Sequence, residues 1–195
     1  MKSLLVTLLL SIPMLSFAQS NAEVNPFRIG IKAGAPIGIG LDVEYVTPIL
    51  GNRIAPFVTY GIYPFNDLDF KYFEIGSNIY LGSRGKGGYL AASYGDLNGE
   101  VTNLNGTNDA GDNYTDGVAN EQLSSFNLKL GWKYGKALYF RIEAGYAIGQ
   151  LPEEIKVVGN VNGQQETFYL TYDDITEYIS GKGYPLFNLG IGYGF

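Results

Sequence analysis

The sequence predicts an all-β chain, an eight-stranded antiparallel up-and-down β-barrel that crosses a membrane. Three observations carry that prediction. In the stretch Pro185–Phe195, the residues Phe187, Leu189, Ile191, Tyr193 and Phe195 take every second position, with Asn188, Gly190, Gly192 and Gly194 between them. A period of two puts the large apolar set on one face of a strand and the small set on the other. In water such a face would be left bare, whereas in a transmembrane barrel it meets lipid. The second observation is that seven further segments alternate in the same way. The third is that every second connection is short, while the two longest both fall among the others.

The start of the chain reads as an export leader. Met1-Lys2-Ser3 is a short basic start, Leu4 to Leu15 is apolar but for Thr7, Ser11 and Pro13, and Ser16-Phe17-Ala18 offers small residues at the −3 and −1 positions. This is the layout of a signal peptide over 1–18, and the apolar run is shorter than the ~20 residues of a spanning helix. Residues 19–195 are then the barrel domain. The leader holds one of the 13 basic residues and no acid, so the remainder carries 12 basic against 19 acidic residues.

The segments follow in order. The first, Phe27–Gly34, sets Phe27, Ile29 and Ile31 against Arg28, Gly30 and Lys32. After an Ala35-Pro36 turn, Ile37–Thr47 sets Ile37, Ile39, Leu41, Val43 and Tyr45 against Gly38, Gly40, Asp42 and Glu44. The third, Ile54–Tyr63, opposes Ile54, Val58, Tyr60 and Ile62 to Ala55, Phe57, Thr59 and Gly61. Its Pro56 is tolerable near a strand start. The fourth, Asp69–Leu81, carries Phe73, Ile75, Ile79 and Leu81 against Tyr72, Glu74, Gly76 and Asn78. The fifth, Gly88–Gly95, is the weakest, with Leu90, Ala92 and Tyr94 against Tyr89, Ala91 and Ser93. The sixth, Leu123–Tyr134, sets Phe126, Leu128, Leu130, Trp132 and Tyr134 against Ser125, Asn127, Lys129, Gly131 and Lys133. The seventh, Ala137–Gly149, sets Leu138, Phe140, Ile142, Ala144, Tyr146 and Ile148 against Tyr139, Arg141, Glu143 and Gly145. The terminal strand is the eighth.

Connection lengths fit this topology. With both termini in the periplasm, the connections there are Pro48–Arg53, Gly82–Gly87 and Gly135-Lys136, none longer than six residues. The other side receives four connections, the Ala35-Pro36 turn, Pro64–Leu68 and two long extracellular loops, Asp96–Gln122 and Gln150–Tyr184. Short periplasmic turns and long external loops are the expected asymmetry. Within the second loop, Ile155–Leu170 reads as a hairpin about Asn162-Gly163 that extends the wall and leaves a free sheet edge.

The small or charged face holds Arg28, Lys32, Lys129, Lys133 and Arg141 against Asp42, Glu44, Glu74 and Glu143. Near-balance is what a closed interior of low dielectric requires, because buried charges must be paired. Glu74, mid-strand between Tyr72 and Gly76, is the acid expected deepest. Alternation alone does not separate inside from outside, so a secreted, soluble, lipocalin-like barrel is the alternative. The leader and the final strand favour the membrane form.

On the final strand and this architecture, the chain resembles the small outer-membrane barrels of the OmpA transmembrane-domain and OmpX type. The resemblance spans nearly the whole mature chain but rests on no dense motif. It implies a Gram-negative outer-membrane protein with lipid on its outer face and an interior filled by side chains. It also implies that Phe187, Leu189, Ile191, Tyr193 and Phe195 form the strand read by the barrel assembly machinery, with Phe195 as its terminal aromatic. No peptidoglycan-binding domain is expected after Phe195.

The function classes narrow accordingly. With no Cys and no His, thiol chemistry and the His-dependent mechanisms of barrel enzymes are excluded, and no enzyme, cofactor or metal site is expected. Glu153-Glu154 and Asp173-Asp174 read as solvated loop acids. Gly82–Gly87 lacks the spacing of a phosphate loop. Asp112 to Gly117 has the start of a calcium loop without its bidentate Glu, leaving only loose binding by Asp109, Asp112 and Asp116 to consider. The acidic balance excludes nucleic acid as partner. A structural or surface-interaction role through loops 96–122 and 150–184, with an unidentified surface partner, is the leading expectation. A small-solute porin or a lipid or ligand carrier is the alternative.

Overall fold

The computed structural model describes residues 24–63, 68–107, 111–149, 154–171 and 183–195. The expected leader, residues 1–18, and most of the Pro64–Leu68 turn lie outside them. The described residues form ten strands: β1 (Phe27–Ala35), β2 (Gly38–Tyr45), β3 (Ile54–Ile62), β4 (Leu68–Tyr80), β5 (Gly87–Thr107), β6 (Asn113–Gly135), β7 (Leu138–Ile148), β8 (Glu154–Val161), β9 (Gln164–Thr171) and β10 (Gly183–Gly194). Eight of them form a closed antiparallel ring, from β5 through β4, β3, β2, β1, β10 and β7 to β6, which pairs back onto β5. These eight are the segments that alternate in the sequence. β10 closes the ring against β1 from Arg28↔Gly194 to Ala35↔Phe187. The Phe195 amide and carbonyl bond Phe27 at 2.9 and 3.2 Å.

The remaining two strands are the expected hairpin. Asn162 and Gly163 have φ of 52° and 81°, both positive, as a two-residue hairpin turn of this hand requires. β8 pairs with the upper part of β6, from Tyr114↔Val161 to Ala119↔Val157. Val157 and Val161 are buried there, and the Tyr114 and Phe168 rings lie 4.6 Å apart.

The expected loop Asp96–Gln122 is largely strand instead. β5 runs on to Thr107 and β6 starts at Asn113, still paired through Asn98↔Gln122 and Val101↔Ala119. The alternation fades there because lipid no longer imposes an apolar outer face. Polar residues such as Asn98, Glu100, Asn120 and Gln122 then take the exposed positions, and side-chain bonds from Gln122 and Ser124 to Asp96 accompany the backbone ladder. Irregular registers follow Val101, and Asn103 and Asp116 take positive φ, which marks bulges in the extension. Of the expected loop Gln150–Tyr184, residues 154–171 are hairpin and 183–184 begin β10.

The faces of the ring are strongly different. Leu41, Ile75, Leu128, Leu130, Phe140, Ile142 and Ile191 are outward and 44–65% exposed. Bare apolar surface all around a ring far exceeds the few hundred Å² that a soluble monomer shows, so this surface is built for lipid. Exposed aromatics mark its borders. Tyr60, Phe73, Tyr94, Phe126, Tyr146 and Phe187 lie toward the hairpin end, and Trp132, Tyr134, Phe140, Tyr193 and Phe195 toward the end with short turns. One outward assignment is corrected. Ile37 lies in the β1–β2 turn, fully buried. Its Cγ2 sits only 2.7 Å from where a Cβ on Gly40 or Gly61 would be, so these two glycines make the space it fills.

Candidate functional site: the charged interior

A narrow eight-stranded lumen must be filled by side chains, and here the inward positions carry charge. Arg28, Lys32, Asp42, Glu44, Glu74, Lys129, Lys133, Arg141 and Glu143 all lie inside, none more than 3% exposed. They come from β1, β2, β4, β6 and β7, and the ring brings all nine into one network.

Glu44 is its hub. The carboxylate accepts from Arg28 Nη1 at 2.8 Å, Lys133 Nζ at 2.7 Å and Arg141 Nη2 at 2.7 Å. Asn78 Nδ2 and the Tyr80 hydroxyl also donate to it, at 2.7 and 2.9 Å. Arg141 spans to a second acid, placing Nη1 2.9 Å from Asp42 Oδ2. Asp42 is also 2.8 Å from Lys32 Nζ and accepts from the Thr59 hydroxyl at 2.8 Å. Glu143 accepts from the Tyr89 hydroxyl at 2.6 Å, with Lys32, Lys129 and Arg141 between 3.4 and 3.7 Å away. Glu74 takes a close ion pair from Lys129 and a close hydrogen bond from Ser93. Lys32 and Lys133 each also lie against an aromatic face, Phe57 at 4.8 Å and Tyr139 at 4.6 Å.

Five cations face four carboxylates, and Arg28 shows how the extra one is held. It lies nearest the short-turn end, where its guanidinium donates to the carbonyls of Gly85 at 2.6 Å and Arg84 at 3.2 Å. Those carbonyls belong to the 3₁₀ turn Ser83–Gly85. The glycine-rich stretch therefore folds under the barrel as a floor.

Tyrosine and amide partners are what the alternation did not identify as ligands of the acids. It places Tyr80, Tyr89, Asn78, Ser93 and Thr59 inside, but it does not say which carboxylate each reaches. The available signal was glycine beside tyrosine. A Cβ on Gly131 would stand 2.2 Å from Tyr89 Cζ, so the Tyr89 ring lies across bare β6 backbone to reach Glu143 on β7. Gly131→Val should therefore eject that ring and lower stability by ~1–3 kcal/mol, read from unfolding midpoints in detergent.

The charged residues pack tightly where they meet. The gap among Lys32, Asp42, Tyr139, Arg141 and Gly190 has no room for a water molecule. A larger recess of about 360 Å³, among Ile31, Ile39, Leu41, Tyr60 and Ile62, is a furrow on the outer wall. Every interior carboxylate meets at least one cation and one neutral donor, although one oxygen each of Glu74 and Glu143 accepts no hydrogen bond, and the arrangement is suited to holding strands together. Among the described residues no group of three potential metal ligands occurs. Asp116 accepts from Thr115 and Asn160 within the extended sheet, and Asp109 lies outside the described residues. Phe187, Leu189, Ile191, Tyr193 and Phe195 all point outward on β10 and its end, 44–64% exposed.

No family model matches the chain, and neither does any curated protein. Among solved structures, it is similar to the N-terminal β-barrel domain of Pseudomonas aeruginosa OprF, at 14% identity and a TM-score of 0.48. That likeness covers 87% of this chain and 95% of the other. It is also similar to Acinetobacter baumannii CarO2, at 15% identity and a TM-score of 0.45, over 90% of this chain and 100% of that one.

Proposed function

We propose that this transmembrane β-barrel resides in a Gram-negative outer membrane and acts as a sealed scaffold for an interaction surface outside the cell. The observation that carries this reading is the contrast between its two halves. The membrane half is filled by one connected ion network, while β5 and β6 rise past the lipid belt and carry the β8–β9 hairpin. Among the described residues β9 is the edge of that wall, and an edge strand offers backbone groups to a partner strand. Passage of solutes is the competing reading, and the packed lumen opposes it.

Deleting residues 154–171 should leave the ring folded, seen as a heat-dependent shift in gel migration, and abolish capture of surface partners by intact cells. An unchanged set of captured partners would end the surface-interaction reading. Assembly is tested separately. Phe195→Ala should reduce yield in the outer membrane without changing interior pairing, because it removes the outward aromatic next to the β1–β10 closure. Wild-type yield would count against a role of β10 in assembly.

A further inference from the structure

The two ends of the barrel differ in charge as sharply as its two faces differ in polarity. The connections β2–β3, β4–β5 and β6–β7 carry Arg53, Arg84, Lys86 and Lys136, and no acid occurs in them. Arg53, Arg84 and Lys136 are exposed and Lys86 is half-buried. Among the described residues, none of the four is paired with a carboxylate. At the other end Asp96, Glu100, Asp112 and Glu166 are opposed only by Lys71 and Lys156 among the described basic residues.

The same short turns are apolar beside their charges. Ile49 is 55% exposed, Leu50 71% and Leu81 67%. Between turns and lipid belt stands Trp132, 58% exposed, whose ring packs 3.3 Å from where a Cβ on Gly88 would be. The hydrogen bonds from Arg28 to the Arg84 and Gly85 carbonyls fix the backbone of the β4–β5 turn beneath the barrel.

The geometry points to a ring of headgroup contacts, in which Arg53, Arg84, Lys86 and Lys136 hold anionic phospholipid of the leaflet on the short-turn side while Ile49, Leu50 and Leu81 enter its acyl boundary. This rests on the transmembrane reading above. Basic side chains beside a membrane attract anionic lipid, and guanidinium groups match phosphate with two donors. A belt of cations spread over every short turn, next to an aromatic border, has the shape of a membrane surface. A single protein partner would be met by one compact patch. The acidic far end repels such lipid, so the preference belongs to one leaflet.

Trp132 is the chain's single tryptophan and supplies the reporter. The full chain is folded into phosphatidylcholine vesicles containing a minor fraction of brominated phosphatidylglycerol or, in parallel, the same fraction of brominated phosphatidylcholine. Quenching of Trp132 by the anionic lipid should exceed quenching by the neutral one about two-fold or more. The excess should vanish in molar salt, where the screening length falls to about 3 Å. It should also vanish in the R53Q/R84Q/K86Q/K136Q variant, whose folding is checked by gel shift. Equal quenching by the two lipids, or an excess that survives salt, overturns the proposal. The salt series needs only the wild-type protein, so it decides the matter even if the variant fails to fold. Absence of quenching by either lipid, with no heat-dependent gel shift, would instead overturn the transmembrane reading on which the proposal stands.

Discussion

Glu44→Gln should be the most destabilising conservative substitution in the barrel. The side chain keeps its shape, but Arg28, Lys133 and Arg141 lose the carboxylate they share within 2.8 Å. Glu44 is fully buried, so water does not replace the lost charge without opening the wall. Removing one member of a buried pair costs ~3–5 kcal/mol, and here three cations are affected by one change. The loss should appear as a lower denaturant midpoint in detergent. The fitting control is Asp69→Asn, which breaks the pair with Lys71 at 3.3 Å, where both side chains are more than half exposed. That pair is screened by solvent, and its loss should be worth at most ~1 kcal/mol. If Asp69→Asn did as much damage as Glu44→Gln, the assignment of inside and outside would be wrong.

Leu128→Arg should be the next most severe change, for the opposite reason. Leu128 is outward, 49% exposed, and lies on β6 between the borders marked by Phe126 and Trp132. An Arg on the lipid face costs ~2–4 kcal/mol at the bilayer midplane and far less near the interfaces. Folding into vesicles should therefore fall sharply for Leu128→Arg and little for Tyr134→Arg at the border. In a soluble barrel both positions would face water, and both substitutions would be nearly neutral.

The two faces of the ring could be read from the chain because lipid and lumen make opposite demands at successive residues. Ile29, Ile31, Leu128 and Leu130 had to be large and apolar, while Gly30, Lys32, Lys129 and Gly131 had to be small or paired. The charged set was readable for the same reason, since Arg141 and Glu143 interrupt an otherwise apolar strand every second residue. Partner choice within that set was not. Glu44 rather than Glu74 gathers the cations because β1, β2, β6 and β7 meet beside it, and that convergence depends on barrel closure rather than on any local pattern. Glu74 is fully buried too, but so are Glu44 and Glu143. The wall formed by Asp96–Thr107 and Asn113–Gln122 was hidden because polar residues such as Asn98, Glu100, Asn120 and Gln122 take its exposed positions and break the apolar alternation. Ile37 was missed because the β1–β2 turn runs one residue further than its apolar side chain suggested, so the second strand starts at Gly38.

In the function proposed above, the barrel is sealed by its own ion network and works at its surfaces. Single-channel recording of the full chain in planar bilayers tests this most directly. A sealed lumen leaves the membrane silent under conditions where folding is verified. A reproducible conductance step that changes on Arg141→Ala or Glu74→Gln would contradict it, by showing that ions pass through the network that is held here to close the lumen.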